Sequence, residues 1–152
     1  MLQAFEAVEL LEKFAVRSEI WSATSYGELR REGLEVNRWN RQNPGKEPKQ
    51  AWAQHHLGSG IYPTIAVSDN MAAVPDMIRQ WVGGDYTVLG TDGFGRSDTR
   101  PALRRFFEID ASAITLAALS ALVRDGSLDA KVYADAEKQF AISNERNDIA
   151  DS

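Results

Sequence analysis

Three glycines, Gly90, Gly93 and Gly95, fall within six residues and are followed at once by Arg96 and Arg100. Amide groups in such a turn, ahead of a helix that starts at Asp98 or Thr99, are suited to binding an anion, and guanidinium groups beside them add charge. The order is G-x-x-G-x-G, however, and not the G-x-G-x-x-G of dinucleotide sites, and no lysine–hydroxyl pair follows it as in a P-loop. The Asp-Gly-Phe-Gly stretch has no glycine-rich or catalytic loop of a kinase before it. The turn Gly90, Asp92, Gly93, Phe94, Gly95, Arg96 and Asp98 is therefore read first as structural, with Asp92 and Asp98 holding it shut through amide or arginine contacts. A small-anion site at Gly93, Gly95 and Arg96 is the alternative.

Little else in the chain has the spacing of a catalytic or metal site. His55 and His56 are the only histidines. Neighbours on a helix diverge by about a hundred degrees, so the two cannot share a metal without a further ligand. Many carboxylates (Asp69, Asp76, Asp85, Asp92, Asp98, Asp110) stand where helix caps are expected. Ser97 has no histidine near it in sequence, so no nucleophilic triad is assigned, and no catalytic, cofactor or metal residue is named. Arg100 and Arg104 are an i,i+4 pair. With Arg105 they give one basic side to a helix whose aromatic side holds Phe106 and Phe107, and all three arginines are candidates for an interface.

These residues sit in an alternation of strands and helices. Leu2, Phe5, Val8, Leu11 and Phe14 recur every three positions and predict an amphipathic helix over Met1–Phe14. A strand is expected at Ser18–Thr24. Ser25 and Glu28 make a capping box for a helix that carries Leu29, Val36 and Trp39 and frays near Asn43-Pro44. A loop over Asn43–Lys49 precedes a short helix at Gln50–Leu57. Pro63–Ser68 and Tyr86–Leu89 read as strands, with a helix from Asp69 between them whose apolar side is Met77, Ile78 and Trp81 and which ends at Gly83-Gly84. Helices follow over Thr99–Phe107, Asp110–Arg124 and Ser127–Phe140, with Asp110 and Ser127 as N-caps and Gly126 as a C-cap. The fold class is α/β.

Composition narrows the function classes. The chain has 152 residues, is 43% hydrophobic and 26% charged, and has no cysteine, so disulfides and thiolate metal sites are excluded. A net charge of -5 argues against a nucleic-acid partner, which needs a clustered basic surface. No apolar run approaches the ~18 residues of a membrane span and no signal peptide opens the chain, so no membrane and a cytoplasmic location are the expectation.

Five stretches together resemble a known family. They are Ser22-Ala-Thr-Ser-Tyr-Gly-Glu-Leu29, Arg38-Trp-Asn40, Ala66-Val-Ser-Asp69, Val74–Val82 and Tyr86–Asp110, of which Leu89–Asp98 followed by Arg104–Asp110 is the most specific. They resemble the C-terminal domain of the homodimeric, bacterial-type decarboxylase component of the pyruvate dehydrogenase complex, and the Val74–Val82 helix looks most like actinobacterial members. The resemblance implies a transketolase-like C-terminal domain, a three-layer α/β/α unit with a mixed sheet, over residues 1–142, with a polar tail at 143–152. It implies a parent enzyme that uses thiamine diphosphate and Mg to decarboxylate pyruvate and to acetylate the lipoyl group of the acetyltransferase component. In that family the cofactor ligands lie mainly in preceding domains, so this chain is expected to bind no cofactor alone, to be inactive alone, and to support the homodimer. Relatives also place two further strands before the first helix. On that basis the chain reads as an N-terminally truncated fragment of the parent, with a stand-alone interaction module or a small-anion-binding domain as alternatives.

Overall fold

Thr64–Val67 (β1) and Tyr86–Leu89 (β2) pair in parallel, Thr64 opposite Tyr86 and Val67 opposite Leu89. Both segments are short runs of β-branched, aromatic and aliphatic residues, which fit a pleated surface covered on both sides. In the computed structural model, which describes residues 1–57, 60–93 and 96–140, these are the two strands of the sheet. Helices α1 (Leu2–Glu12), α2 (Tyr26–Gln42) and α3 (Trp52–Leu57) precede them. Between them lie the single turn α4 (Ala73–Asp76) and a 3-10 turn at Arg79–Trp81, and α5 (Arg100–Phe106), α6 (Ala111–Arg124) and α7 (Ala130–Phe140) follow.

The two faces of the sheet meet different helices, as the period of two along a strand requires. Ala66, Tyr86 and Val88 turn toward Ala51, Ala53, Ile78, Trp81 and Val82, with Tyr26 and Leu29 of α2 closing that side. Val67 and Leu89 turn the other way, onto Ala7 of α1 and Ala111 and Ile114 of α6. Helix on sheet on helix gives the expected three-layer α/β/α arrangement, but among the described residues the sheet is two-stranded and parallel and not the mixed sheet expected. On the outer side of α6, Leu11, Leu116, Leu119 and Ala136 join α1, α6 and α7, and Phe14 meets Phe140 edge-to-face at 6.2 Å.

Capping defines the ends of the central helix. Asp110 accepts from the Ala113 amide at 2.9 Å, as expected of an N-cap. The Ala111 amide, a second orphan of that first turn, donates to Gln3 Oε1 at 3.0 Å, 108 residues away in sequence. Inside α6 the fully buried Thr115 returns its hydroxyl to the Ala111 carbonyl at 2.7 Å, so burial strands no polar group. At the C-terminus Ser127 and Gly126 donate to the Leu122 and Val123 carbonyls, a Schellman ending.

Several expectations need correction. The strand predicted at Ser18–Thr24 does not form. Its residues are mostly exposed, and Trp21 is held by its ring against Trp52 and His56 (5.9 and 5.8 Å). The helix expected from Asp69 is broken into α4 and the 3-10 turn, and Met77 is exposed while Ile78 and Trp81 are buried. On α1 the buried line runs through Ala7 and Leu11, leaving Leu2 (64% exposed) and Phe5 (53%) outside. Small residues let α1 approach α6 at Ala111, a preference that counting large apolar side chains misses. Helix α7 begins at Ala130, and Asp129 rather than Ser127 accepts from its first turn, at the Lys131 amide. Residues 100–124 do reach the length and apolar character of a membrane span. They divide at Glu108, whose φ is +55°, and α6 lies in the core against α1, α7 and both strands. The boundary at 142 and the tail 143–152 fall outside the described residues.

Gly33 is buried in α2 where the Trp81 indole lies on the helix, and Trp81 Nε1 donates to Asn37 one turn on at 3.3 Å. A Cβ at Gly33 would come under 3.0 Å from three indole carbons. Gly33→Ala should therefore lower stability by about 1–3 kcal/mol through overpacking, in spite of the better helix propensity of Ala. Thermal unfolding followed by circular dichroism measures it, and an unchanged or raised midpoint would contradict the packing described. Tyr86 is buried and donates its hydroxyl to the Pro75 carbonyl at 2.8 Å, and burial pushes its phenol well above the ordinary range. Because the folded chain resists this ionisation, the stability it contributes is complete below about pH 10 and declines as pH rises above that. The melting temperature should fall less steeply above pH 10 in Tyr86→Phe, which starts lower at pH 7 because the Pro75 carbonyl loses its donor.

Candidate functional site

Parallel pairing in register delivers the chain to the same edge twice, at Ser68–Ala72 after β1 and at Gly90–Gly93 after β2. Crevices outside the carboxyl ends of parallel strands are where α/β folds commonly bind ligands. The two loops are bolted together here. Thr91 donates its amide to the Asn70 carbonyl (2.9 Å) and its hydroxyl to the Asp69 carbonyl (3.0 Å), and Asp92 Oδ1 accepts from the Ala72 amide (2.9 Å).

Gly90 is what allows this approach. A Cβ there would stand 2.5 Å from the Ala72 nitrogen, 2.7 Å from its Cα and 2.9 Å from the Asn70 oxygen, all backbone atoms that cannot swing aside. Gly93, with φ +108°, then takes the chain out of the loop. Asp92 ties the turn to the neighbouring loop and not to itself. Asp98 accepts from the Thr99 amide at 2.7 Å, immediately before α5. Phe94 and Gly95 lie outside the described residues.

The cleft beside these loops has a volume of about 530 Å³. One wall is a single face of α5 and its C-cap, Arg100, Leu103, Arg104 and Phe107 at i, i+3, i+4 and i+7. Arg96 and Asp69 stand at its other sides and Ile109 contributes to the floor. The basic and apolar groups of α5 thus share a face, whereas sequence reasoning put them on opposite sides. Arg105 is exposed and does not line the cleft. The Arg96 guanidinium lies over the Phe106 ring, 4.4 Å from its centroid. Arg96 and Arg100 were read together in the sequence, but the arrival of Asp69 beside them was not signalled by spacing, since it comes from the loop after β1.

Elsewhere the polar groups are engaged structurally. A smaller cavity of about 340 Å³ lies over Asp76, Arg79 and Tyr86. There Arg79 pairs with Asp76 at 2.6 Å and donates to the Tyr86 carbonyl at 2.7 Å, which ties the α4 region to β2. His56 stacks on Trp52 at 4.3 Å and meets His55 edge-on. Among the described residues no three His, Asp or Glu side chains converge to hold a metal ion. Gly90→Ala should cost about 2–4 kcal/mol, the sum of overpacking and one or two displaced hydrogen bonds between the loops. Gly45→Ala, whose Cβ meets nothing within 4 Å, should change stability by less than about 0.5 kcal/mol. Equal unfolding midpoints for the two variants would contradict the close approach at Gly90.

Comparison with known proteins places this geometry. A family of transketolase-like C-terminal domains matches residues 1–110. The pyruvate dehydrogenase E1 component of Pseudomonas aeruginosa is 47% identical over 148 residues, 96% of this chain and 17% of the relative. The E1 components of Mycolicibacterium smegmatis and Corynebacterium glutamicum are 45% and 46% identical over 145 residues, 95% of this chain and 16% of each relative. Actinobacterial proteins are thus among the relatives, and the chain spans about one sixth of the length of those it matches. This chain belongs to the transketolase-like C-terminal domain family.

Proposed function

We propose that this chain serves as the C-terminal domain of a pyruvate dehydrogenase E1-type enzyme, which decarboxylates pyruvate and passes the two-carbon unit to the lipoyl group of an acetyltransferase partner. The observation that carries the reading is the 47% identity to such a component across 96% of the chain, against 17% of that relative's length. Thiamine diphosphate with Mg would supply the decarboxylation chemistry in the parent enzyme. A diphosphate-bound Mg needs converging oxygen ligands, and the described residues offer no such group. Their donor set does not fit the cofactor, so no chemical step is assigned to this chain.

Its own residues support an architectural role. The α1–α6–α7 layer and the parallel strands pack into one core, and exposed apolar side chains at Leu2, Phe5, Trp21 and Trp52 offer surface to neighbouring domains or to a homodimer partner. Arg105 is exposed on α5 outside the cleft and offers a cation to such a partner, while Arg100 and Arg104 line the cleft. A cytoplasmic, membrane-free setting without nucleic acid accords with the net charge of -5 and the core position of α6.

A chimera tests this role. The chain replaces the matching 148-residue stretch of the P. aeruginosa relative, and pyruvate-dependent ferricyanide reduction is measured. Activity that requires thiamine diphosphate and Mg is expected from the chimera, and none from the isolated chain. Turnover by the isolated chain, or a folded dimeric chimera without turnover, would sink the proposal.

A further inference from the structure

The cleft at the carboxyl ends of β1 and β2 concentrates charge without neutralising it. Arg96, Arg100 and Arg104 line it, with Asp69 as the one carboxylate among its described lining residues. Arg31, Arg79 and Arg124 each hold a carboxylate within 4.0 Å, but none of the three cleft arginines does among the described residues. Arg100 and Arg104 are like charges at i,i+4, an arrangement that weakens a helix unless a counter-charge sits between them. Three guanidinium groups less one carboxylate leave +2 in the cleft, which matches the charge of one phosphate monoester near neutral pH.

Geometry and chemistry select the same ligand class. Guanidinium forks pair bidentately with phosphate oxygens, and Leu103, Phe107 and Ile109 add apolar lining to the cleft. A volume of about 530 Å³ lies within the usual range for small-molecule sites. We propose that this cleft binds a small organic phosphate, the phosphate group between Arg100 and Arg104 with Arg96 at the rim and the carbon portion on Leu103, Phe107 and Ile109. The site does not depend on the assembly role proposed above.

Calorimetric titration of the full chain with inorganic phosphate and with phenyl phosphate, against sodium chloride at matched ionic strength, tests the site. Both should bind, phenyl phosphate the more tightly because its ring reaches the apolar lining. Arg100→Gln and Arg104→Gln should each weaken phenyl phosphate binding roughly tenfold or more. Arg105→Gln, on the same helix but outside the cleft, should leave it within about twofold. Should a Gln variant fail to fold by circular dichroism, Arg100→Lys keeps the charge, removes the fork and makes the same comparison. The proposal is overturned if the wild-type chain binds neither probe, if phenyl phosphate binds no tighter than inorganic phosphate, or if Arg105→Gln weakens binding as much as Arg100→Gln.

Discussion

Two parallel strands can share a ladder only if the chain between them travels back to the end where it began, and that return path has to bury something on the way. Here the return is made by α4 and the 3-10 turn, which place Ile78, Trp81 and Val82 on one face of the sheet. The other face is left to a helix from the start of the chain and one from its second half. The register Thr64–Tyr86 through Val67–Leu89 therefore fixes more than eight residues. It decides which side chains meet α2 and which meet α6, and it brings two loops side by side where the cleft opens.

Stability rests on packing and on the completeness of buried hydrogen bonding more than on charge. The Arg31 pairs with Glu28 and Glu35 are over 60% exposed at both ends, and such pairs contribute little. Arg31 lowers the Glu28 carboxyl, chiefly through its hydrogen bond. In contrast, Thr115, the Tyr86 hydroxyl and the Ala111 amide are each satisfied where water does not easily reach. Trp81 joins the two kinds of contact, since its ring fills the notch at Gly33 and its N–H meets Asn37.

What the sequence disclosed and what it hid follow from the range of the forces involved. Tyr86–Leu89 and the Asp110 cap of α6 were legible because strand propensity and capping are local. The Ser18–Thr24 strand was misread because β-forming residues report only that a segment is able to pair, not that an edge awaits it. The α1 stripe was misread because Ala7 is chosen by what lies opposite, Ala111 and Ile114. Family resemblance came through strongly in Leu89–Asp110, yet it showed neither why Gly90 has to be glycine nor that Arg96 faces Arg100 and Arg104. The first is a property of two loops meeting, Gly90 against Asn70 and Ala72, and no short window along the chain contains them both.

The bond from Gln3 to Ala111 spans 108 residues, and that span sets an order of events during folding. Closing a loop of that size costs about 4 kcal/mol of chain entropy, which a single side-chain contact cannot offset. The docking of α1 onto α6 must therefore follow formation of nearer contacts, such as α2 with α3 and β1 with β2. During synthesis α1 emerges ahead of α6, and its buried line of Ala7 and Leu11 waits roughly 5–20 s, at typical elongation rates, for α6 to appear. Over that interval the face that Ala7 and Leu11 turn to α6 in the folded chain has no α6 to close it, so its docking is deferred until the second half of the domain is made.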